Sequence, residues 1–227
     1  MCEPAKWLFR SRVNIMPVCL ENERKAMGDV FAAGGWLMLP IAACSVLGLA
    51  IVIERAWMLR MDRVAPSSLV AQLPQLAGRA RLSPSERDSL ETHSMLGRVW
   101  AAVIDSRSDP IELQREQIEE AGRAATYEMG RYLNTLGSIA AITPLLGLLG
   151  TVAGMIHIFA NMNQAGAADT QALAAGIGQA LITTAAGLCV AIPALVAYRY
   201  FNGRIEHRAL VLERLSLRLM SAQRRQP

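Results

Sequence analysis

Charged side chains are missing from one long part of the sequence. Between Arg131 and Arg199, Asp169 is the only Asp, Glu, Lys or Arg. It separates two uncharged segments, 132–168 and 170–198, each longer than the ~20 apolar residues that cross a bilayer as a helix. The absence of charge excludes a solvated helix face here. It predicts two membrane-spanning helices, 132–159 and 172–198, joined by a short polar turn at 160–171.

Residues that bind metals or carry out catalysis are few and scattered. The three histidines, His93, His157 and His207, lie in separate segments, and no nucleophile elbow or phosphate loop occurs. The four cysteines give no disulfide framework, because two lie in apolar segments and two in a polar leader. We therefore expect no enzyme, no metal site and no cofactor.

Lysine is almost absent. Lys6 and Lys25 are the only two, and every basic residue after Met27 is arginine. Residues 1–26 hold too few apolar residues for a spanning helix and no small-residue cleavage site. We expect this leader to be disordered or a non-native start, with Met27 as the true start.

A third apolar segment precedes the charged part of the chain. Trp36 and Trp57 lie 21 residues apart, about 32 Å along a helix, which matches a hydrocarbon core of ~30 Å with an aromatic belt on each side. The segment 27–57 is therefore predicted to hold a first span at about 36–53. A signal anchor or a buried soluble helix is the alternative.

The region 58–131 and the tail 199–227 have helical patterns. Ser83 and Glu86 fit a capping box, and Asp109-Pro110 opens a helix that we expect to run unbroken to about Phe159. Glu112 with Arg115, Glu119 with Arg123 and Glu128 with Arg131 have the spacing of solvated ion pairs. In the tail, the following residues form an apolar stripe: Ile205, Ala209, Leu212, Leu215 and Leu219. Its polar side is marked by Arg204, Arg208, Arg214 and Arg218. We expect the tail to pack on the Pro110 helix; a calmodulin-type or lipid-surface amphipathic helix is the alternative.

The arginine distribution predicts the orientation. The region 54–131 carries eleven arginines and the tail from Arg199 seven, whereas the hairpin turn and residues 27–35 carry none. We expect a cytoplasmic helical domain and C-terminus, and an N-terminus and hairpin turn outside. The net charge of +4 reflects this topology, because the arginines alternate with acids, and no nucleic-acid partner is expected.

Small residues and hydroxyls take the place of charges in the hairpin. Gly176, Ala180, Thr183, Gly187 and Ala191 recur every three or four residues and form one stripe. Small residues let helix backbones approach closely in lipid, and hydroxyls bond across the contact or line a watered cleft. Packing alone is the simpler alternative. The following glycines are the expected helix contacts: Gly147, Gly150, Gly154, Gly176 and Gly187.

Two motifs in the hairpin resemble a known family. ITPLLGLLGTVAGMI at 142–156 and GIGQALITTAAGLCVAIPA at 176–194 closely resemble the signature of the MotA/TolQ/ExbB proton-channel family. The likeness covers roughly residues 27–220 and is densest in the hairpin. It implies an all-α protein with three transmembrane helices in the bacterial inner membrane, with its N-terminus periplasmic.

The resemblance also implies functional residues. Thr151 and Thr184 match family threonines that line the inner pore, whereas Gln179 stands where many ExbB and TolQ sequences have glutamate. The candidate pore-lining and proton-path residues are Thr143, Thr151, Gln179, Thr183 and Thr184. The resemblance implies protons as the coupling ion. It also implies a pentamer around an ExbD/TolR-like single-span partner that supplies a membrane aspartate. A TonB-like protein is a further possible partner.

Two functional hypotheses follow. The first is the channel-forming subunit of a proton-driven motor that energises TonB-dependent import or, alternatively, envelope maintenance of the TolQ type. The second is a passive oligomeric membrane scaffold. Proton conduction needs a titratable group or an ordered water chain in the membrane. This subunit offers hydroxyls and one amide there, so a second subunit must supply the acid.

Overall fold

The structure is all helical in the part of the chain that it describes. A computed structural model describes residues 35–79, 81–165 and 170–225, and these ranges contain no strand. The helices are α1 Met38–Met58, α2 Met61–Val64, α3 Ser67–Ala71, α4 Leu73–Ala77, α5 Pro84–His93, α6 Met95–Asp105, α7 Ile111–Met129, α8 Leu133–Ala165 and α9 Thr170–Arg225. The predictions for residues 1–26 and for Asp169 lie outside the described residues.

Three helices are long and apolar enough to cross a membrane, which confirms the predicted fold class. They are α1 with 21 residues, α8 with 33 and α9 with 56. On α1, Leu39, Val46 and Ile53 recur every seven residues and remain 70%, 69% and 61% exposed. An apolar stripe of this kind is unfavourable in water but suits contact with lipid tails.

The described chain forms two compact units. The first comprises Met1–Ser45 and Ala141–Ile192, and its described part contains the start of α1 and the α8–α9 hairpin. The second comprises Val46–Ala140 and Pro193–Pro227 and contains α2 to α7 with the remaining parts of the three long helices.

The core of the second unit centres on α6. Leu96, Trp100, Val103 and Ile104 on this helix are fully buried, because its apolar residues cover most of its surface. α6 packs against α5 and α7. An ion pair between Arg98 and Glu128 also joins α6 to α7. Glu128 was predicted to pair with Arg131, so this partner assignment was wrong.

Two predicted local features of the charged region are confirmed. Ser83 and Glu86 form a complete capping box at the start of α5. Glu119 and Arg123 form an ion pair of 3.0 Å along α7.

The tail continues the last membrane helix without a break. Its predicted apolar stripe is buried at Ile205, Leu212, Leu215 and Leu219, which are at most 8% exposed. Arg208, predicted on the polar side, is instead only 6% exposed. Residues of both α7 and the tail line an open groove of about 790 Å³. That the tail packs on α7 stays a prediction.

The helix that begins after Pro110 is interrupted, so the prediction of one unbroken helix to Phe159 was wrong. α7 ends at Met129, a turn occupies 130–132, and α8 begins at Leu133. Tyr132 has a φ of +64°, a left-handed conformation that costs a residue with a Cβ roughly 1–3 kcal/mol. The turn leaves carbonyls at the end of α7 without their i+4 helical partners, and Arg55 donates hydrogen bonds to two of them.

Candidate functional site

Glycines bring the two helices of the hairpin into backbone contact. A Cβ atom on Gly187 of α9 would lie 2.8 Å from the carbonyl oxygen of Thr143 and 3.2 Å from the Cα of Gly147, both on α8. A Cβ on Gly147 would lie 3.0 Å from the Cα of Thr184. Backbone atoms cannot move aside as a flexible side chain can, so glycine is required for this approach.

The contact extends in both directions along the hairpin. A Cβ on Gly150 would meet the Cγ2 of Thr183 at 2.5 Å, and one on Gly176 would meet Ile158 at 2.5 Å. Gly154 is less tightly enclosed, because its Cβ would lie 3.3 Å from the Cβ of Ala180. All five glycines expected at helix contacts therefore lie against the opposite helix of the hairpin.

One threonine hydroxyl bridges the two helices. Thr184 Oγ1 donates a hydrogen bond of 3.0 Å to the carbonyl oxygen of Gly147. The bridge forms because the glycine contact brings the α8 backbone within reach of the α9 side chain. Thr184 is half-buried, so the hydroxyl lies at the edge of the contact and not inside it.

The other threonines of the site differ in their exposure. Thr143 and Thr183 are 0% and 1% exposed, and Thr183 Oγ1 donates to the carbonyl of Gln179 in its own helix at 3.0 Å. Thr151 is half-buried, and its hydroxyl donates to the Leu148 carbonyl at 2.7 Å. Thr151 and Thr184 therefore present more accessible hydroxyls than the other two. The pore-lining assignment stays a prediction.

Gln179 is exposed and lies near the start of α1. Its Nε2 atom is 3.2 Å from the position that a Cβ on Gly35 would occupy. Gly35 has a φ of +70° and accepts a hydrogen bond of 3.1 Å from the amide of Met38, so it forms the turn into α1. The amide of Gln179 therefore reaches the backbone that leads into the first span.

A buried arginine that sequence reasoning undervalued lies at the other end of α1. Arg55 forms an ion pair of 2.6 Å with Glu54, its neighbour in the sequence. Its guanidinium is 2% exposed and also donates to the carbonyls of Glu128 and Met129, each at 3.1 Å. Arg55 therefore caps the C-terminus of α7. A basic residue closing an apolar segment was the only sequence signal, and it does not identify the capped helix.

The chemistry available in the hairpin is hydrogen bonding. Over the described ranges no group of three or more His, Cys, Asp or Glu side chains is placed to hold a metal ion. The described hydroxyls of Thr151 and Thr184 donate to carbonyls and keep lone pairs that can accept hydrogen bonds. These features define a class of protein: a multi-pass helical membrane protein with a hydroxyl-bearing hairpin closed by glycines.

Comparison with known proteins identifies the family within that class. Residues 91–214 match the family described as the MotA/TolQ/ExbB proton channel family. The chain belongs to this family, which is associated with transport and is not a family of enzymes.

Three relatives illustrate the similarity. The ExbB-like 1 biopolymer transport protein of Synechocystis sp. is 36% identical over 179 residues, covering 75% of this chain and 68% of that protein. The biopolymer transport protein ExbB of Neisseria gonorrhoeae is 49% identical over 70 residues, 31% of this chain and 32% of the relative. The Tol-Pal system protein TolQ of Haemophilus influenzae is 44% identical over 70 residues, 31% of each chain. A proton-channel family role of the ExbB and TolQ kind follows.

Proposed function

We propose that this protein is the channel-forming subunit of an inner-membrane motor that couples proton flow to work by a partner. The observation that carries the proposal is the hydroxyl-bearing hairpin without an acid or base in the described contact between α8 and α9. Such a face can solvate a proton carrier but cannot itself carry protons in steps. The membership of the chain in a proton-channel family supports this role.

The proposal requires a second subunit that supplies the acid. An ExbD/TolR-like protein with an aspartate in a single membrane helix has the required chemistry. Because the hydroxyls of Thr151 and Thr184 already donate to the carbonyls of Leu148 and Gly147, their free lone pairs accept hydrogen bonds. They would therefore stabilise the protonated carboxyl, which has an O–H to donate, more than the carboxylate.

We further propose a homopentamer in which the hairpins of five copies surround the partner. Closed cyclic symmetry would bring equivalent threonines to one axis. The arginine distribution supports a cytoplasmic location for α2 to α7 and the tail, with the N-terminus periplasmic. No cofactor besides the coupled protons is required.

The proposal also covers the process that the motor energises. Work on a TonB-like protein for import across the outer membrane is the first candidate, and the similarity to the ExbB of Neisseria gonorrhoeae supports it. Envelope maintenance is the alternative supported by the similarity to TolQ. The amide of Gln179 fits a positioning role better than a proton-carrying role, because an amide does not titrate in this range.

Proton flux through a reconstituted complex tests the proposal. The protein and a single-span partner are placed in proteoliposomes that contain a pH-sensitive dye, with Thr151→Val and Thr184→Val combined. Valine keeps the shape and removes the hydroxyl. Loss of two hydrogen bonds to the neutral carboxyl, worth ~0.5–1.5 kcal/mol each, predicts a fall in flux of about tenfold, with the partner still bound.

Ser138→Ala is the matched control. Its hydroxyl is exposed and donates at 3.0 Å to the carbonyl of Asn134 in its own helix, outside the glycine contact. This variant should conduct like the wild type. Full flux through the double valine variant would leave a passive scaffold as the better description of the hairpin.

A further inference from the structure

Two arginines are buried in the part of the chain that the structure describes, and their partners differ. Arg55, 2% exposed, has a carboxylate and two carbonyl oxygens around its guanidinium. Arg208, 6% exposed, has one partner among the described residues, the thioether sulfur of Met61 at 3.2 Å. Its Nε atom is buried without a hydrogen-bond partner. A thioether is only a weak acceptor.

Burial without an anion is unfavourable for a guanidinium. Desolvation, with the nearby positive charge of Arg204, lowers the pKa of Arg208 from its ordinary value. A buried charge is normally paired or fully hydrogen-bonded, because removing it from water costs several kcal/mol. The acids nearest to it in sequence, Glu206 and Glu213, and Asp62 beside Met61 form no described ion pair with it and are themselves exposed. Among the described residues Arg208 therefore has no anionic partner.

The surroundings of Arg208 place it at a membrane surface. Met61 follows the end of the first span at Met58, and Arg208 follows the last predicted membrane residue of α9 by ten positions. Side chains of a helix lean toward its N-terminus, so the arginines of the tail lean toward the membrane. Arg204 follows this rule, because its Nη2 donates at 2.7 Å to the hydroxyl of Tyr200 one turn earlier.

Exposed aromatic residues lie near these ends of α1 and of the apolar part of α9. Trp57 and Tyr200 are 59% and 55% exposed, as in the aromatic belts found at headgroup depth. Arginines accompany both rings: the guanidinium carbon of Arg63 lies 4.7 Å from the Trp57 ring centre and that of Arg204 lies 5.2 Å from the Tyr200 ring centre. Positive charge beside an aromatic belt attracts anionic headgroups.

We propose that Arg208, together with Arg204, binds the phosphate group of an anionic phospholipid at this surface of the bilayer. The planar guanidinium donates two parallel hydrogen bonds to phosphate oxygens, a geometry that supplies the missing partner of Arg208. The bound headgroup would lie where α2, which follows α1, meets the tail of α9. This inference needs the chain to be in a membrane but does not depend on proton coupling.

Native mass spectrometry of the purified protein in mild detergent tests the inference. Phosphatidylglycerol and phosphatidylcholine are added separately at equal concentration, and retained lipid is counted. The wild type should retain phosphatidylglycerol in preference to phosphatidylcholine. Arg208→Gln should lower the affinity for phosphatidylglycerol about tenfold, the value of a charge-assisted hydrogen bond. Arg123→Gln, at an exposed arginine already paired with Glu119, should leave it unchanged.

Further variants cover the case in which Arg208→Gln does not fold. Arg204→Gln changes an exposed residue and should also weaken retention, whereas Arg208→Lys keeps the charge and should retain part of it. Equal retention of the two lipids by the wild type would overturn the inference, as would wild-type retention in Arg204→Gln. In a last measurement, the melting temperature of the wild type is compared with added phosphatidylglycerol and with inorganic phosphate at matched ionic strength. If inorganic phosphate raises the melting temperature as much as phosphatidylglycerol does, the site belongs to a soluble anion and not to a lipid.

Discussion

Gly187→Ala is the most direct test of the hairpin geometry. The added methyl carbon would lie 2.8 Å from the Thr143 carbonyl oxygen, 3.2 Å from the Gly147 Cα and 3.4 Å from the Gly147 nitrogen. All three are backbone atoms, so α8 and α9 must move apart. That movement would also lengthen the hydrogen bond from Thr184 to Gly147, which is 3.0 Å in the native hairpin.

The expected loss can be estimated from these contacts. Overpacking a close contact costs ~1–3 kcal/mol, and an interhelical hydrogen bond in a membrane contributes ~0.6 kcal/mol on average. We therefore expect a destabilisation of about 1–3 kcal/mol, a change of roughly 5- to 150-fold in the equilibrium constant. Gly178→Ala is the matched control, because no heavy atom lies within 4 Å of its added Cβ. Both changes replace glycine by alanine in α9, so the difference in helix propensity cancels.

The assay is reversible unfolding in mixed micelles with increasing SDS, followed by the tryptophan fluorescence of each variant. The midpoint for Gly187→Ala should fall below the wild-type midpoint, and that for Gly178→Ala should stay at or slightly above it, because alanine favours a helix more than glycine does. Gly154→Ala, whose Cβ would lie 3.3 Å from another side-chain carbon, should fall between the two. Equal midpoints for Gly187→Ala and Gly178→Ala would refute the reasoning that backbone contact at Gly187 closes the hairpin.

Two further predictions concern the second compact unit. Arg55→Leu leaves the carbonyl of Met129 without its described donor and the carbonyl of Glu128 with only the Arg131 amide, so it should destabilise the protein by about 2 kcal/mol in thermal unfolding, whereas Arg123→Leu should change little. At α5, hydrogen bonds from the Ser83 amide and hydroxyl lower the pKa of Glu86 from its ordinary value of 4.5. This cap should stabilise α5 above pH 4.5 and be lost as the pH falls through the lowered pKa, and Ser83→Ala should raise the pKa in an NMR titration of the carboxyl carbon.

The hairpin was predictable because its signals are strong and local. Two long segments without charge can cross a membrane only as helices, and a stripe of small residues at helical spacing predicts a close contact. The sequence did not reveal which glycines meet backbone and which meet side chains. Gly187 and Gly178 are alike in the sequence, yet one Cβ would meet three backbone atoms and the other none, because register between helices depends on tertiary packing.

The sequence did not predict the helix break between α7 and α8, for a different reason. Helix breaks are usually predicted from proline, and no proline occurs between Pro110 and Pro144. Here the break is stabilised from outside the helix, because Arg55 on α1 binds the carbonyls that the turn releases. The ring of Tyr132 also lies 5.6 Å from the guanidinium carbon of Arg55 and 4.9 Å from that of Arg131. A feature that depends on a residue more than seventy positions away has no local sequence pattern.

The two site threonines should respond differently when each is replaced alone, and that difference separates solvation from packing. Thr184→Val removes a hydrogen bond between two helices, so it should lower stability, by ~0.6 kcal/mol on average for bonds of this kind. Thr151→Val removes a bond to a carbonyl of its own helix and should leave the hairpin almost as stable. If both single variants lose proton flux to a similar extent, stability cannot be the cause, and the shared property is a hydroxyl available to a partner's acid. If flux falls only for Thr184→Val, the hydroxyl acts by holding α8 against α9, and the proton path lies elsewhere.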